Sequence, residues 1–309
     1  MLTAGLRRRA LGAVVVAAGA LLIGQPASPP VRALVGVAIA AGAGLLLAPP
    51  LTPRRLTTTA GVVSVALVLG LTFWIGSNSA RVGWFGGLTW HGPRGRPEVA
   101  LTFDDGPSAV STLAVRDVLD RYGVKGTFFT VGKALDARPD ISRALLADGH
   151  LLGNHSYVHD YLRWLAPGYP ELDRTQQAFA RDLGVCPTFF RPPHGQHTPL
   201  MARVVHGRRM AMVTWDVSAG DWATTDGALV ARRVLAKVRP GSIILLHDGL
   251  DGNVSADRSV LLTALPLILE GLKARGLQPV RLDQLLGKPA YAGKCGGGAP
   301  AALPTPLAG

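Results

Sequence analysis

The sequence predicts an α/β domain in the form of a deformed (β/α) barrel of about seven units, preceded by N-terminal transmembrane helices. Three observations carry that expectation. From Glu98 onward, short apolar runs rich in β-branched and aromatic residues alternate with amphipathic stretches of helical period, the pattern of buried parallel strands with helices outside. Several of those runs stop at a carboxylate, a histidine or an arginine, where the loops of such folds gather their chemistry. Before Glu98 lie three apolar runs and no acidic residue at all.

The chain divides accordingly. Residues 1–76 read as a membrane anchor of about three helices. The apolar run 10–24 follows Arg7-Arg8-Arg9, the run 33–48 ends at Pro49-Pro50, and the run 60–76 follows Arg54-Arg55 and carries Phe73 and Trp74 near its far end. A cleaved signal peptide is the alternative for the first run. With three spans, the Arg triplet and the Arg pair share the cytoplasmic side, so everything after Gly76 lies outside the cytoplasm. Residues 77–97, rich in Gly with Trp84, Phe85 and Trp90, read as a linker or as a segment packed near the membrane surface. Residues 98–286 form the α/β domain, and 287–309, with three consecutive glycines after Cys295 and several prolines, read as a disordered tail.

Within the domain, strands are expected at 99–103, 126–131, 151–154, 188–191, 211–217, 242–247 and 278–281. Helices are expected at 111–122, 141–148, 169–183, 199–206, 227–237 and 259–276. The formal net charge of +12 does not mark a nucleic-acid binder. Nine of the 32 basic residues precede Glu98, leaving 23 against 20 acids in the remainder. Two cysteines, Cys186 and Cys295, form no metal-binding spacing, and neither is a candidate nucleophile.

The domain is organised around Val99-Ala100-Leu101-Thr102-Phe103-Asp104-Asp105-Gly106-Pro107, a buried strand ending in two adjacent carboxylates. Such a pair is costly unless a cation, an arginine or water compensates it. His155 and His159 follow another strand, and at i and i+4 they lie on one face if the turn is helical. With Asp105 they make an N/N/O set suited to a catalytic zinc with open positions, which frees Asp104 to act on a water. Arg191, delivered by a strand into Pro192-Pro193, is placed to hold Asp104 ionised. His247 leaves the end of the apolar strand 242–247 beside Leu245; oriented by a carboxylate such as Asp221, it can donate a proton to a leaving group.

These blocks, in this order over about 98–286, resemble the polysaccharide deacetylase family, the NodB-homology or carbohydrate esterase family 4 domain. The resemblance implies Asp104 as catalytic base and Asp105, His155 and His159 as metal ligands. It implies Arg191 as the residue that orients the base, with Pro193 beside it, and Asp221 as the acid that tunes His247, the general acid. Trp222 then lines the groove and Leu245 lies under the acetyl methyl. One departure is His194, where the family often has an aromatic residue; its backbone N–H can still serve the oxyanion. His197 reads as an exposed loop residue.

The function implied is metal-dependent removal of N-acetyl groups from amino sugars of a cell-envelope glycan, peptidoglycan or a chitin-like oligosaccharide. The metal would be Zn2+, with Co2+, Ni2+ or Mn2+ as substitutes. Alternatives are a deacylase of a lipid-linked sugar at the membrane surface and a sugar-binding pseudoenzyme. The expected partners are the N-acetylated glycan and the lipid bilayer, with no nucleic acid and no obligate protein partner. The expected location is the cell membrane, multi-pass, with the catalytic domain on the extracytoplasmic side.

Overall fold

A computed structural model describes residues 53–166 and 168–293, with side chains from residue 65. The chain divides into two compact units, Met1–Leu71 and Thr72–Gly309. Helix α1 runs over Pro53–Asn78. The expected spans 10–24 and 33–48 lie outside the described residues, and 60–76 falls within α1. Among the described residues, no helix is long and apolar enough to cross a membrane.

The second unit is a single sheet of short parallel strands with helices between them. In chain order these are β1 Leu88–Thr89, β2 Glu98–Asp104, α2 Thr112–Arg121, β3 Thr127–Thr130, α3 Gly132–Ala137, α4 Pro139–Ala147, β4 Leu151–Asn154, α5 Pro170–Leu183, β5 Phe189–Phe190, α6 Pro199–Gly207, β6 Ala211–Val213, β7 Val217–Ser218, α7 Gly227–Leu235, β8 Ile243–His247, α8 Ser259–Ala274, β9 Gln278–Pro279 and α9 Leu282–Leu286. The strand order is β1-β6-β5-β4-β3-β2-β8-β7, with β9 pairing the start of β2. Every ladder is parallel.

The sheet is a curled half-barrel rather than a closed one: no ladder joins its end strands β1 and β7 among the described residues. The expected strand 211–217 is in fact two. Thr214 to Asp216 break from the ladder, and Asp216 instead accepts from the backbone N of Ile243 at 2.8 Å and from Ser242 Oγ at 3.0 Å. The interruption lets β7 pair with β8 on the far side of the order.

Buried strands explain the near-continuous apolar runs. Residues 99–104 of β2 are all buried, because both faces of a parallel sheet are covered. The helices cover it through single stripes. In α2 the buried set includes Val115, Val118 and Leu119, and in α8 it is Val260, Leu261, Ala264, Leu265, Ile268, Leu269 and Leu272, the spacing of one helix face. Gly227 opens α7 where a Cβ would stand 2.9 Å from the Val260 carbonyl oxygen, which lets α7 and α8 pack closely.

Both flanks expected to be irregular are built into the unit. In the segment 77–97, β1 pairs with β6, the Ala80 carbonyl accepts from Thr214 Oγ1 at 2.5 Å, and Arg94 bonds the buried Asp216 at 2.9 Å. At the other end, the Tyr291 hydroxyl accepts from the Leu152 N–H at 3.0 Å, and Ala292 N donates to the Cys186 carbonyl at 2.8 Å. The rest of the expected tail, 294–309, lies outside the described residues. Cys186 itself is buried and not a free thiol. A chain begun at Glu98 therefore leaves Asp216 without Arg94 and β6 without its outer neighbour β1. Its melting temperature is expected to fall by about 5 °C or more against a chain begun at Thr72. Equal melting curves in a calorimeter would show that the segment contributes nothing.

Candidate active site

The site forms at the C-terminal ends of β2, β4, β5, β7 and β8, where a parallel sheet opens its loops. Asp104 is the last residue of β2 and His247 the last of β8, and the ladder register pairs them directly. A regular strand would send Asp104 and Asp105 to opposite faces. Instead Asp105 adopts φ +76°, and both carboxylates reach His155 Nε2, at 3.7 Å from Asp104 Oδ2 and 3.3 Å from Asp105 Oδ1.

His159 Nε2 lies 3.2 Å from the same Asp105 oxygen. The segment that carries the two histidines is not helical, contrary to the expectation from their spacing. Asn154 Oδ1 accepts from the Ser156 N–H at 2.9 Å, Ser156 takes φ +70°, and this turn brings the imidazoles to 5.0 Å between centroids. The far nitrogens each face an oxygen, by a hydrogen bond in His155 and by an ion-pair contact in His159. His155 Nδ1 is 2.8 Å from the Arg191 carbonyl, and His159 Nδ1 is 2.7 Å from Asp251 Oδ1. Both Nε2 atoms are therefore turned toward Asp105 Oδ1, a buried oxygen with no hydrogen-bond partner. Burial alone would raise the Asp105 carboxyl, but His155, His159 and His247 overcome it and hold the group far below the usual carboxylate range.

One ligand atom from each of Asp105, His155 and His159 falls within 4.8 Å of the others. An orphaned buried carboxylate oxygen, two imidazole nitrogens and fixed outer partners fit one divalent cation.

Arg191, fully buried after β5, donates from one terminal nitrogen to Asp104 Oδ1 at 2.7 Å and Thr102 Oγ1 at 2.8 Å, and from the other to the Thr214 carbonyl at 3.0 Å. Its guanidinium carbon sits 4.1 Å from the centre of the Phe129 ring. On the opposite flank, Asp221 accepts from His247 twice, from Nδ1 at 2.9 Å and from the backbone N at 3.0 Å, and Arg258 bonds the same carboxylate at 3.1 Å. Burial alone would push the His247 imidazole down. The charge and hydrogen bond of Asp221, with Asp105 and Asp104 behind them, lift it to about 9.

Leu245 is buried on the His247 face of β8, paired with Thr102. Trp222 is 50% exposed, with its ring 5.0 Å from that of His247. Pro193 and His194 open the loop after Arg191. Pro193 is buried, whereas His194 is exposed at φ +56°. His197 departs from expectation: it is fully buried, its ring 6.2 Å from that of Phe85 and its N–H bonded to the Ser77 carbonyl at 2.9 Å, outside the Asp105 group. Two supporting residues carry no legible signal in the sequence: Asp251 lies in a Gly-rich turn and Arg258 precedes a helix.

The mouth of this curled parallel sheet thus offers an aspartate and two histidines to one cation, between a held carboxylate and a held imidazole. A family model described as polysaccharide deacetylase matches residues 91–213. The peptidoglycan-N-acetylglucosamine deacetylase PgdA of Listeria monocytogenes is 33% identical over 198 residues, which cover 63% of this chain and 40% of that protein. The chitooligosaccharide deacetylase of Sinorhizobium fredii is 35% identical over 192 residues, covering 59% of this chain and 88% of that protein. The crystal structure of the Bc1960 peptidoglycan N-acetylglucosamine deacetylase superposes with a TM-score of 0.62 at 31% identity, covering 67% of this chain and 95% of that one. The chain belongs to the polysaccharide deacetylase family.

Proposed function

We propose that the domain hydrolyses N-acetyl groups on amino sugars of a cell-envelope glycan, peptidoglycan or a chitin-like oligosaccharide, releasing acetate and a free amine. The observation that carries this reading is the pairing of two differently held groups across β2 and β8: Asp104, fixed by Arg191, and His247, fixed by Asp221.

Asp105, His155 and His159 would hold the cation. A divalent ion there, with zinc the best match to two nitrogens and one oxygen, supplies Lewis acidity and a water of lowered pKa. Asp104 takes the proton of the attacking water at Oδ2, the oxygen not bonded to Arg191. His247 is protonated at neutral pH and gives its Nε2 proton to the departing amine, while Asp221 holds Nδ1. The backbone N–H of His194 serves the oxyanion. Pro193 and Trp222 shape the walls of the groove, and Leu245 lies under the acetyl methyl.

The test is acetate release from a panel of N-acetylated glycans by the full chain, with and without chelator and with zinc added back. Chelator-insensitive release removes this reading. Stoichiometric zinc binding without turnover on any acylated glycan favours the sugar-binding pseudoenzyme instead. Because His247 acts in its protonated form, kcat is expected to hold through neutral pH and fall on the basic side near 9. In Asp221→Asn, without that charge, burial dominates and the basic limb should move to lower pH by a unit or more. An unmoved limb in the pH–rate profile would separate Asp221 from the titrating group.

The chain is further proposed to sit in the cell membrane through residues 1–76, with the catalytic domain outside the cytoplasm. The exposed apolar side chains of α1, including Val65, Val68, Leu69 and Phe73, support this, as does the arginine placement before Glu98. Retention in the membrane pellet after carbonate washing, and access of external protease to the domain in spheroplasts, check the two halves of that statement.

A further inference from the structure

The chain enters the second unit beside the loop after β5. Residues 72–78, the end of α1, belong to that unit. The Ser77 carbonyl accepts from the His197 N–H at 2.9 Å, and Asn78 Oδ1 accepts from Gln196 Nε2 at 2.9 Å. Trp84 and Phe85 fold back over Gly76, where a Cβ would stand 3.1 Å and 2.8 Å from their rings. Helix α6 starts two residues after His197, and its Met201 and Ala202 share a buried cluster with Trp164 from the loop after β4.

This edge shows water more apolar surface than a polar cleft requires. Leu162, Leu165 and Leu200 are 69%, 53% and 60% exposed, and Trp84 is 60% exposed. Leu162 and Leu165 flank a 3-10 turn, Arg163–Leu165, and at a spacing of three they share one face of it. The turn is fixed in place: Leu165 N donates to the Leu162 carbonyl at 3.1 Å, and Asp160 Oδ1 accepts from the N–H groups of Leu162 at 2.8 Å and Arg163 at 3.2 Å. Trp164 turns inward, and its neighbours on either side face out. Arg163 and Arg203, from the same turn and from α6, are exposed, and among the described residues neither side chain has a partner.

Branched aliphatic side chains offer no flat face to a sugar ring. Three leucines and a tryptophan also cover only part of the roughly 1,000 Å2 that a stable protein interface buries. Leucines and a tryptophan flanked by free arginines match another surface. The apolar groups can enter the acyl boundary of a bilayer while the guanidinium groups bind headgroup phosphates. The point of entry adds direction, because a bilayer that holds the segment before Thr72 must approach the unit along this edge.

We infer that Leu162, Leu165 and Leu200, with Trp84, dock the second unit on the bilayer surface, as a membrane contact separate from residues 1–76. This second contact rests on the membrane reading above. The docked loops follow β4 and β5, the strands that deliver His155 and Arg191, so the mouth of the sheet works beside the lipid rather than at the end of a free tether.

The experiment places the full chain in vesicles of phosphatidylglycerol and phosphatidylcholine with a fluorophore at Leu200→Cys. A second preparation carries it at Leu267→Cys, an exposed position on α8. Brominated lipid is expected to quench the label at 200 and not at 267, and aqueous iodide to do the reverse. Adding Leu162→Ser and Leu165→Ser should bring lipid quenching at 200 down to the level seen at 267. Lipid quenching no greater at 200 than at 267 overturns the docking. So does a label at 200 shielded from iodide in a particle of twice the mass and untouched by lipid, which marks a second copy of the chain. If the chain is recovered soluble without detergent, the anchor reading fails, and sedimentation of that chain with the same vesicles decides. Wild type that sediments while Leu162→Ser/Leu165→Ser/Leu200→Ser binds about tenfold more weakly keeps the docking surface. Wild type that stays in the supernatant overturns it.

Discussion

Asp104→Asn is expected to lower acetate release by about a hundredfold to ten-thousandfold, the range for loss of a general base, while metal content stays at the wild-type level. The substitution keeps shape and leaves an amide oxygen to accept from Arg191, so the loop after β2 has no steric reason to move. It removes the one property that the reaction needs, a lone pair basic enough to take a proton. Asp104 makes no part of the Asp105, His155 and His159 group, so metal affinity should survive. Metal analysis by mass spectrometry alongside the kinetic assay separates the two effects. A variant that retains a tenth or more of wild-type kcat would remove Asp104 from the role of base.

Arg191→Met is expected to be the most damaging single change to the fold. It should cost about 3–5 kcal/mol, the usual penalty for stripping one partner from a buried ion pair, and lower the melting temperature by about 6–20 °C. The side chain is fully buried, and its bonds to Asp104, Thr102 and Thr214 gather three strand ends at once. Methionine fills much of the volume over Phe129 but leaves the Asp104 carboxylate without a counter-charge. Paired melting curves check this: a variant that melts within about 2 °C of wild type would show that the ion pair contributes little to holding these strand ends together.

Much of the site was legible in the sequence because its residues terminate apolar strands. Asp104, Arg191 and His247 each follow a run whose β-branched and aromatic residues announce a buried strand, and a polar group at such an end has few structural reasons to be there. Asp221 behind His247 is legible as well, but the groups that face His159 and Asp221 from further out are not. Asp251 reaches His159, and Arg258 reaches Asp221, through loops whose course depends on the completed sheet and not on local period. The i, i+4 spacing of His155 and His159 suggested a helix, and a tight turn built on Asn154 achieves the same convergence. His197 runs against its expected exposure because its burial depends on Ser77 and Phe85, more than a hundred positions away in the chain. The two flanks of the domain looked irregular for a related reason: Gly- and Pro-rich segments give no periodic signal even when their backbone groups are bonded to strands elsewhere.

The central place of β2 also determines when the site can exist. Its ladder with β8 and the bond from the Asp251 N–H to Asp105 Oδ2 link residues up to 146 positions apart. Contacts of such separation form late, after the entropy of closing the intervening loops has been met. A growing chain that has produced Asp105, His155 and His159 still lacks Asp251 behind His159 and His247 beside Asp104. The proposed centre is thus a product of chain completion, and tight binding of a divalent cation would serve as a measure of finished molecules in a preparation.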